Sequence, residues 1–347
     1  MIALLRYSPV MVRSKPAFSA APAGPISSAT DVFHGGPEHG PKVSISKVPS
    51  MGDTLCIGAR FPNAGGSPSN LGLANAAQVL ESAGYDSLWA SDHVAMPVEG
   101  GSSYPFSTDG RIPWSNDLAW ADAIVALGIA AAVTDRIQLG TAVLVASLRS
   151  PLVFAKQLAT VAVEAGGRTS LGVGVGWLEH EYEAVGVPFA KRGARLDAWI
   201  EVVRDVWSGS LSARGDGHPY PNPNEMVCSP VPPVPVPILV GGLSSAALRR
   251  AGQLGDGWIG LQAAGELDAS SLASSIEEIR SCAVQAGRDP ATLRMILQIT
   301  ESEGQSASIA GRLDELASAG VNEIIVDPGW STMEQPQRTL ETLRSSL

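Results

Sequence analysis

Cysteine is scarce in this chain: three in 347 residues, Cys56, Cys228 and Cys282, odd in number and far apart. That argues against a disulfide framework or a cysteine metal site. Unpaired thiols suit a reducing compartment, so a cytoplasmic protein is expected. Basic side chains are outnumbered, 24 Lys+Arg against 34 Asp+Glu, for a net charge of −10. Nucleic acid and anionic membranes are therefore not expected partners, because both need a basic face. Long apolar runs are missing too, since charges and prolines interrupt every candidate before the ~18–20 residues of a membrane span. Gly 37 and Pro 25 together make about 18% of the chain, below the ~25–30% of low-complexity sequence. What remains is a globular protein.

The charge is uneven. Residues 1–50 carry five basic side chains (Arg6, Arg13, Lys15, Lys42, Lys47), two acidic ones (Asp31, Glu38) and seven prolines. Their net charge of +3 leaves −13 on the remainder. With no sustained apolar period, this segment cannot bury enough surface to offset the entropy of ordering. Arg6 and Pro9 break the only candidate for a secretory signal core. Residues 1–53 are thus expected to be a disordered extension, or a non-native one if translation starts at Met51, and residues 54–347 to form the folded unit.

From Met51 onward, short β-branched runs alternate with stretches of helical period. The strand candidates are Leu55–Arg60, Ser87–Ala90, Ile137–Val143, Thr169–Val175, Pro237–Val240, Gly257–Leu261, Arg294–Ile299 and Glu323–Val326. The helix candidates are Asn70–Ala83, Leu118–Ala132, Pro151–Ala165, Lys191–Trp207, Ser244–Leu254, Ala269–Ala286, Gln305–Ala319 and Met333–Ser345. Gly84, Gly166, Gly287 and Gly320 each follow an alanine-ended helix, where a left-handed residue is wanted. Eight strands alternating with eight helices predict an α/β fold, a closed (β/α)8 TIM barrel, rather than two domains. Insertions are expected after strand two (93–117), after strand four (176–190) and before strand five (209–236). The first two lie on the functional face, positioned to form walls or a lid. The third, with its Pro230–Pro237 run, reads as a rigid connector on the opposite face unless it folds back.

In such barrels chemistry sits at the C-terminal ends of the strands. His93 directly follows strand two and is the candidate catalytic residue. His180, flanked by Glu179, Glu181 and Glu183, reads as a solvated polar face. Only one strand end supplies a histidine, so a metal-dependent hydrolase, which needs several ligands, is not expected. No nucleophile motif is present. Strand four places Gly172, Gly174 and Gly176 on one face, which calls for close approach of a ligand or of another backbone. Gly241-Gly242 stands between strand five and a helix start, where free N–H groups and the helix dipole favour phosphate. With Trp89 and Trp177 at strand ends, the mouth suits a flat conjugated ligand with a phosphate tail.

These stretches together resemble the bacterial-luciferase-like monooxygenase superfamily, and within it the deazaflavin (coenzyme F-420) dependent oxidoreductases of actinobacteria. The carriers run from about Leu55 to the C-terminus. They are Ala83 to Trp89 with Ser91-Asp92-His93, Thr134 to Thr141, Gly167-Arg168, Leu171 to Trp177, Arg192 to Arg195, Gly241-Gly242 and Gly255 to Trp258. The resemblance implies that His93 lies close to the reactive ring as general acid/base or polarising donor, with Asp92 supporting the ring pocket. It implies that Ala142-Val143 is a bulge, often a non-prolyl cis peptide, backing the ring. Gly174, Val175, Gly176 and Trp177 would line the cofactor, and Val240, Gly241 and Gly242 would hold its phosphate. Trp177 stands where the sugar-phosphate dehydrogenase branch has a catalytic carboxylate, which points to a more apolar small-molecule substrate. Hydride transfer through coenzyme F-420 is the expected activity. FMN-dependent monooxygenation and a non-catalytic flavin-binding barrel stay open, and the superfamily admits a homodimer.

Overall fold

The computed structural model describes residues 55–65, 71–98, 103–106 and 109–347. The extension expected at 1–53 lies outside the described residues, as do parts of the first insertion. The strands are β1 (Cys56–Arg60), β2 (Ser87–Ala90), β3 (Gln138–Thr141), β4 (Leu144–Val145), β5 (Thr169–Gly174), β6 (Ser210–Leu211), β7 (Met226–Val227), β8 (Ile238–Gly241), β9 (Gly257–Ala263), β10 (Arg294–Thr300) and β11 (Glu323–Val326). All except the β6–β7 hairpin join one sheet, ordered β3-β2-β1-β11-β10-β9-β8-β5-β4. The β3–β5 pairing closes it, every pairing around it is parallel, and β4 continues the line of β3 after a break. That is the expected eight-stranded barrel.

The helices are α1 (Gly72–Ala83), α2 (Ala123–Val133), α3 (Pro151–Glu164), α4 (Glu179–Ala184), α5 (Arg192–Trp207), α6 (Ser245–Gln253), α7 (Ala269–Gln285), α8 (Ser306–Ala310), α9 (Leu313–Ser318) and α10 (Gln335–Arg344). Gly84, Gly166, Gly287 and Gly320 take φ of 97°, 60°, 71° and 100° at the predicted stops. Three expectations change. The helix foreseen from Leu118 starts at Ala123, because the Asp122 carboxylate accepts the Ile124 and Val125 N–H groups as its cap. The one foreseen over Gln305–Ala319 is two short helices parted at Gly311. The segment before β8 does fold back: its hairpin packs by α5, and the Tyr220 hydroxyl lies beside Ser147 in the turn after β4.

Many of the motif residues that carry the resemblance hold the barrel's lower rim. Asp86 and Asp256, each just before a strand, accept the N–H of Ile57 (2.7 Å) and Ile238 (2.9 Å) at the start of the preceding one. Glu81 accepts three successive N–H groups from Asp135, Arg136 and Ile137. Burial opposes its charge, but those donors win and hold its carboxyl below the usual range. Arg168, buried, donates to the carbonyls of Thr134 and Ile137.

The lumen is apolar above and polar below. Trp89, Ala142, Leu239, Ile259, Ile296 and Ile325 fill it, with Val143 packed on top. Beneath them Glu323 accepts from Arg294 (2.9 Å), Ser87 and the Trp89 indole (2.8 Å). Trp89 is thus no part of the mouth. It lies in the lumen at 1% exposure, in space that Gly58 and Gly140 leave open by having no Cβ.

The glycine row on β5 has the same explanation. A Cβ at Gly172 would stand 2.0 Å from the Thr141 carbonyl oxygen, one at Gly174 2.7 Å from Val143, and one at Gly176 2.6 Å from Val145. The row admits the neighbouring β3–β4 line, so close approach of another chain segment is what demands it. We expect Gly172→Ala to cost about 1–3 kcal/mol through overpacking. Gly265→Ala, where a Cβ meets nothing within 4 Å, should be neutral. Urea unfolding midpoints of the two variants check this.

Candidate active site

His93 stands three residues past the end of β2, at the barrel mouth. Its Nδ1 lies 2.9 Å from Oε2 of Glu181, and the two side chains are 8% and 2% exposed. The other oxygen of Glu181 accepts the N–H of Val94 (2.6 Å) and Ala95 (3.3 Å). A carboxylate with both oxygens so engaged is an acceptor, so Nδ1 carries the proton and Nε2 is the nitrogen left for a substrate. The expectation that the segment around His180 is a solvated polar face therefore needs correcting. His180, Glu179 and Glu183 are exposed, but Glu181 turns inward on α4 together with Tyr182. The Tyr182 hydroxyl donates to the Val175 carbonyl at 2.5 Å, which fastens α4 to the end of β5.

Four aromatic rings gather at His93. Trp120, Trp177 and Trp114 have ring centroids 4.7, 5.8 and 5.9 Å from the imidazole. Tyr104 touches Trp114 and Trp177, each at 5.2 Å, and burial raises the pKa of its phenol. Trp120 is positioned by a β-bridge to Ala64. Next to that bridge Asn63 donates to the carbonyls of Ser91 (2.7 Å) and Ala121 (2.9 Å), tying the loop after β1 to both ends of the first insertion.

Asp92 faces away from His93. Arg149 grips it with two bonds, 2.7 and 2.8 Å, and Asp92 also accepts the Val145 N–H at 2.9 Å. Arg149 reaches on to Asp122 at 3.0 Å. Burial works against the guanidinium, but the two carboxylates outweigh it and raise its pKa. Asp92 thus fixes the β3–β4 turn, in which the Ala142–Val143 peptide is cis, as the resemblance implies. Val143 occupies the space left open at Gly174 and Gly241, so the bulge, the end of β5 and the end of β8 form one continuous surface. Val175, Gly176 and Trp177 continue it and are half-buried.

On the other side of β5, Val240 is buried in β8, and Gly241 closes that strand. Gly242 has φ 126°, and its carbonyl accepts the Trp258 indole N–H at 2.8 Å. Leu243, Ser244, Ser245 and Ala246 are exposed, and the Ser244 side chain caps the Ala247 N–H of α6. The other first-turn N–H groups have no acceptor within the helix.

His93 and the wall at the end of β5 were thus named from sequence, with Gly174, Val175, Gly176 and Trp177 brought together on that wall. Glu181, Tyr104, Trp114, Trp120 and Arg149 were not foreseen. One signal was available: Tyr104, Phe106, Trp114 and Trp120 crowd into one loop of a chain with only 8 Trp, 5 Tyr and 6 Phe. Among the described residues no group of three or more His, Cys, Asp or Glu could hold a metal, and no helix is long and apolar enough to cross a membrane.

The histidine, the bulge and the glycine turn thus lie at one mouth of a closed parallel barrel. Residues 56–321 match the luciferase-like monooxygenase family, and the chain belongs to it, which makes it an oxidoreductase. An uncharacterised protein of Mycobacterium tuberculosis is 34% identical over 72% of this chain and 82% of its own. A coenzyme F-420-dependent glucose-6-phosphate dehydrogenase of Kineococcus radiotolerans is 32% identical over 67% of this chain and 66% of its own. Among solved structures, a coenzyme F-420-dependent secondary alcohol dehydrogenase superposes with a TM-score of 0.64 at 17% identity, covering 84% of this chain and 99% of that one. An FMN-bound type II Baeyer-Villiger monooxygenase of Pseudomonas putida superposes with a TM-score of 0.62 at 13% identity, covering 83% and 96%. Those two share the fold.

Glu181→Gln should scramble the His93 tautomer. NMR of ring-labelled histidine should show one Nδ1–H form in the parent and a mixture in the variant, with the fold unchanged by circular dichroism.

Proposed function

We propose that this protein is a coenzyme F-420-dependent oxidoreductase acting on a small, fairly apolar organic substrate in the cytoplasm, with His93 as its proton-transfer residue. The observation that carries the reading is an oriented, nearly buried histidine that shares one mouth with the Val143 bulge and with the half-buried glycine turn leading to the exposed start of α6. The residues fit such a cofactor. Val143, seated over two glycines that carry no side chain, offers a small apolar backing that suits a planar ring. The uncapped first-turn N–H groups after Gly242 suit a phosphate. Residues Asp92 (through Val145), Ala142, Val143, Gly174 to Trp177 and Val240 to Gly242 would hold it.

When bound, the deazaflavin supplies a carbon that gives or accepts a hydride. The chain's own residues do the rest. His93 holds or takes a proton at Nε2, and Glu181 keeps Nδ1 protonated so that this nitrogen stays available. The ring cluster excludes water from the reacting atoms, which strengthens each polar contact there. Asp92 and Arg149 act at one remove, by keeping the bulge in place. Relatives that use sugar phosphates are a weaker guide to the substrate, because Trp177 and its neighbours offer that ligand an apolar wall. A coenzyme F-420 relative at 32% identity supports the choice of cofactor over FMN.

Titrating the purified protein with coenzyme F-420 and with FMN, followed by fluorescence quenching, tests the reading. Micromolar binding of the deazaflavin is expected, and His93→Ala should keep that affinity while lowering turnover by about 10²–10⁴-fold. Binding of FMN alone would overturn the cofactor. Unchanged turnover in His93→Ala would remove the histidine from the chemistry.

A further inference from the structure

The indole N–H groups of Trp114 and Trp120 are polar atoms of the mouth that the fold does not use. Both nitrogens are shielded from solvent and have no acceptor, and the Ser91 hydroxyl, two residues before His93, is in the same condition. The tryptophans that pack the barrel behave differently. Trp89 donates to Ser87 and Glu323, Trp199 to the Arg149 carbonyl, Trp207 to the Ala155 carbonyl and Trp258 to the Gly242 carbonyl. Buried indoles in this protein find acceptors where packing is their whole task, so the two orphans beside the imidazole call for a separate reason.

The surroundings define what would satisfy them. Contacts within the cluster are tilted or edge-to-face, with interplanar angles of 50° to 81° around His93. A planar conjugated guest would find aromatic partners in this cluster. The arginines around the mouth are already engaged: Arg60 with Asp327, Arg149 with Asp92 and Asp122, Arg192 with the Gly176 carbonyl and the Phe189 ring. An anionic guest would find no uncommitted guanidinium among these three, whereas the two indole N–H groups and the Ser91 hydroxyl are without partners.

We propose that Trp114 and Trp120 form the substrate-binding receptor of the mouth, their indole N–H groups holding the oxygen of a neutral, planar conjugated carbonyl or nitro compound against His93. This rests on the reading of the mouth as the substrate site and adds the chemical class it selects. The receptor sits on a fixed frame, since Trp120 is pinned by its bridge to Ala64. A hydrocarbon of the same shape would fill the same space and leave both donors unpaired, which is the basis of discrimination.

The test compares 4-nitrotoluene with 4-isopropyltoluene, which has nearly the same outline and no acceptor, by calorimetry on the protein loaded with coenzyme F-420. The wild type should bind the nitro compound about 10-fold more tightly. Trp114→Phe and Trp120→Phe, which keep an aromatic ring and delete the N–H, should each erode that preference by about 3–10-fold. Affinity for the hydrocarbon and for the deazaflavin should hold. Equal binding of the two probes by the wild type overturns the proposal without any variant, and so does a preference that survives both substitutions. If the preference and its erosion are seen on protein that does not bind the deazaflavin, the receptor stands and the cofactor reading falls.

Discussion

Val143 can sit where it does only because β5 and β8 offer Gly174 and Gly241 beneath it. A side chain at either position would come within 2.7 Å of its methyl groups. That steric match lets the β3–β4 line break and still close against β5, so the barrel stays continuous while a surface opens at its mouth. It also seals the lumen, since Val143 packs on the apolar residues that fill it. Fold and site share this one contact.

A chain of polar contacts holds the same region from outside. Arg149 joins Asp92 at the end of β2 to Asp122 at the start of α2, and Asp92 in turn holds the backbone at Val145. Removing one partner from so buried a pair leaves the other uncompensated, typically worth about 3–5 kcal/mol. His93 follows Asp92 directly, so the residue that anchors the bulge also fixes where the histidine starts. Glu181 then sets its ring. Two adjacent residues thus serve different neighbours, Asp92 the bulge through Arg149 and Val145, His93 the mouth through Glu181 and the aromatic rings.

The barrel was largely legible because its signals are local. Alternating periods, glycines at helix ends and proline at the first turn of α3 all act within a few residues. His93 was legible for a related reason, since the end of a barrel strand points to the mouth whatever follows. Trp89 shows the limit. It lies inside β2, where the side chain's direction depends on strand parity and on room left by Gly58 and Gly140 on neighbouring strands. The short α4 escaped for want of length, as six residues carry too little periodicity to register.

Sequence alone thus determined the α/β alternation, the closed barrel, the family resemblance and the strand-end histidine, because each rests on neighbours in the chain. Tertiary structure decided which glycines serve packing, which carboxylate orients His93 and which rings surround it. Glu181 meets His93 across 88 positions and Arg149 meets Asp92 across 57. Such pairings are fixed by barrel closure and burial, which bring distant loops to one mouth and exclude the water that would otherwise separate them.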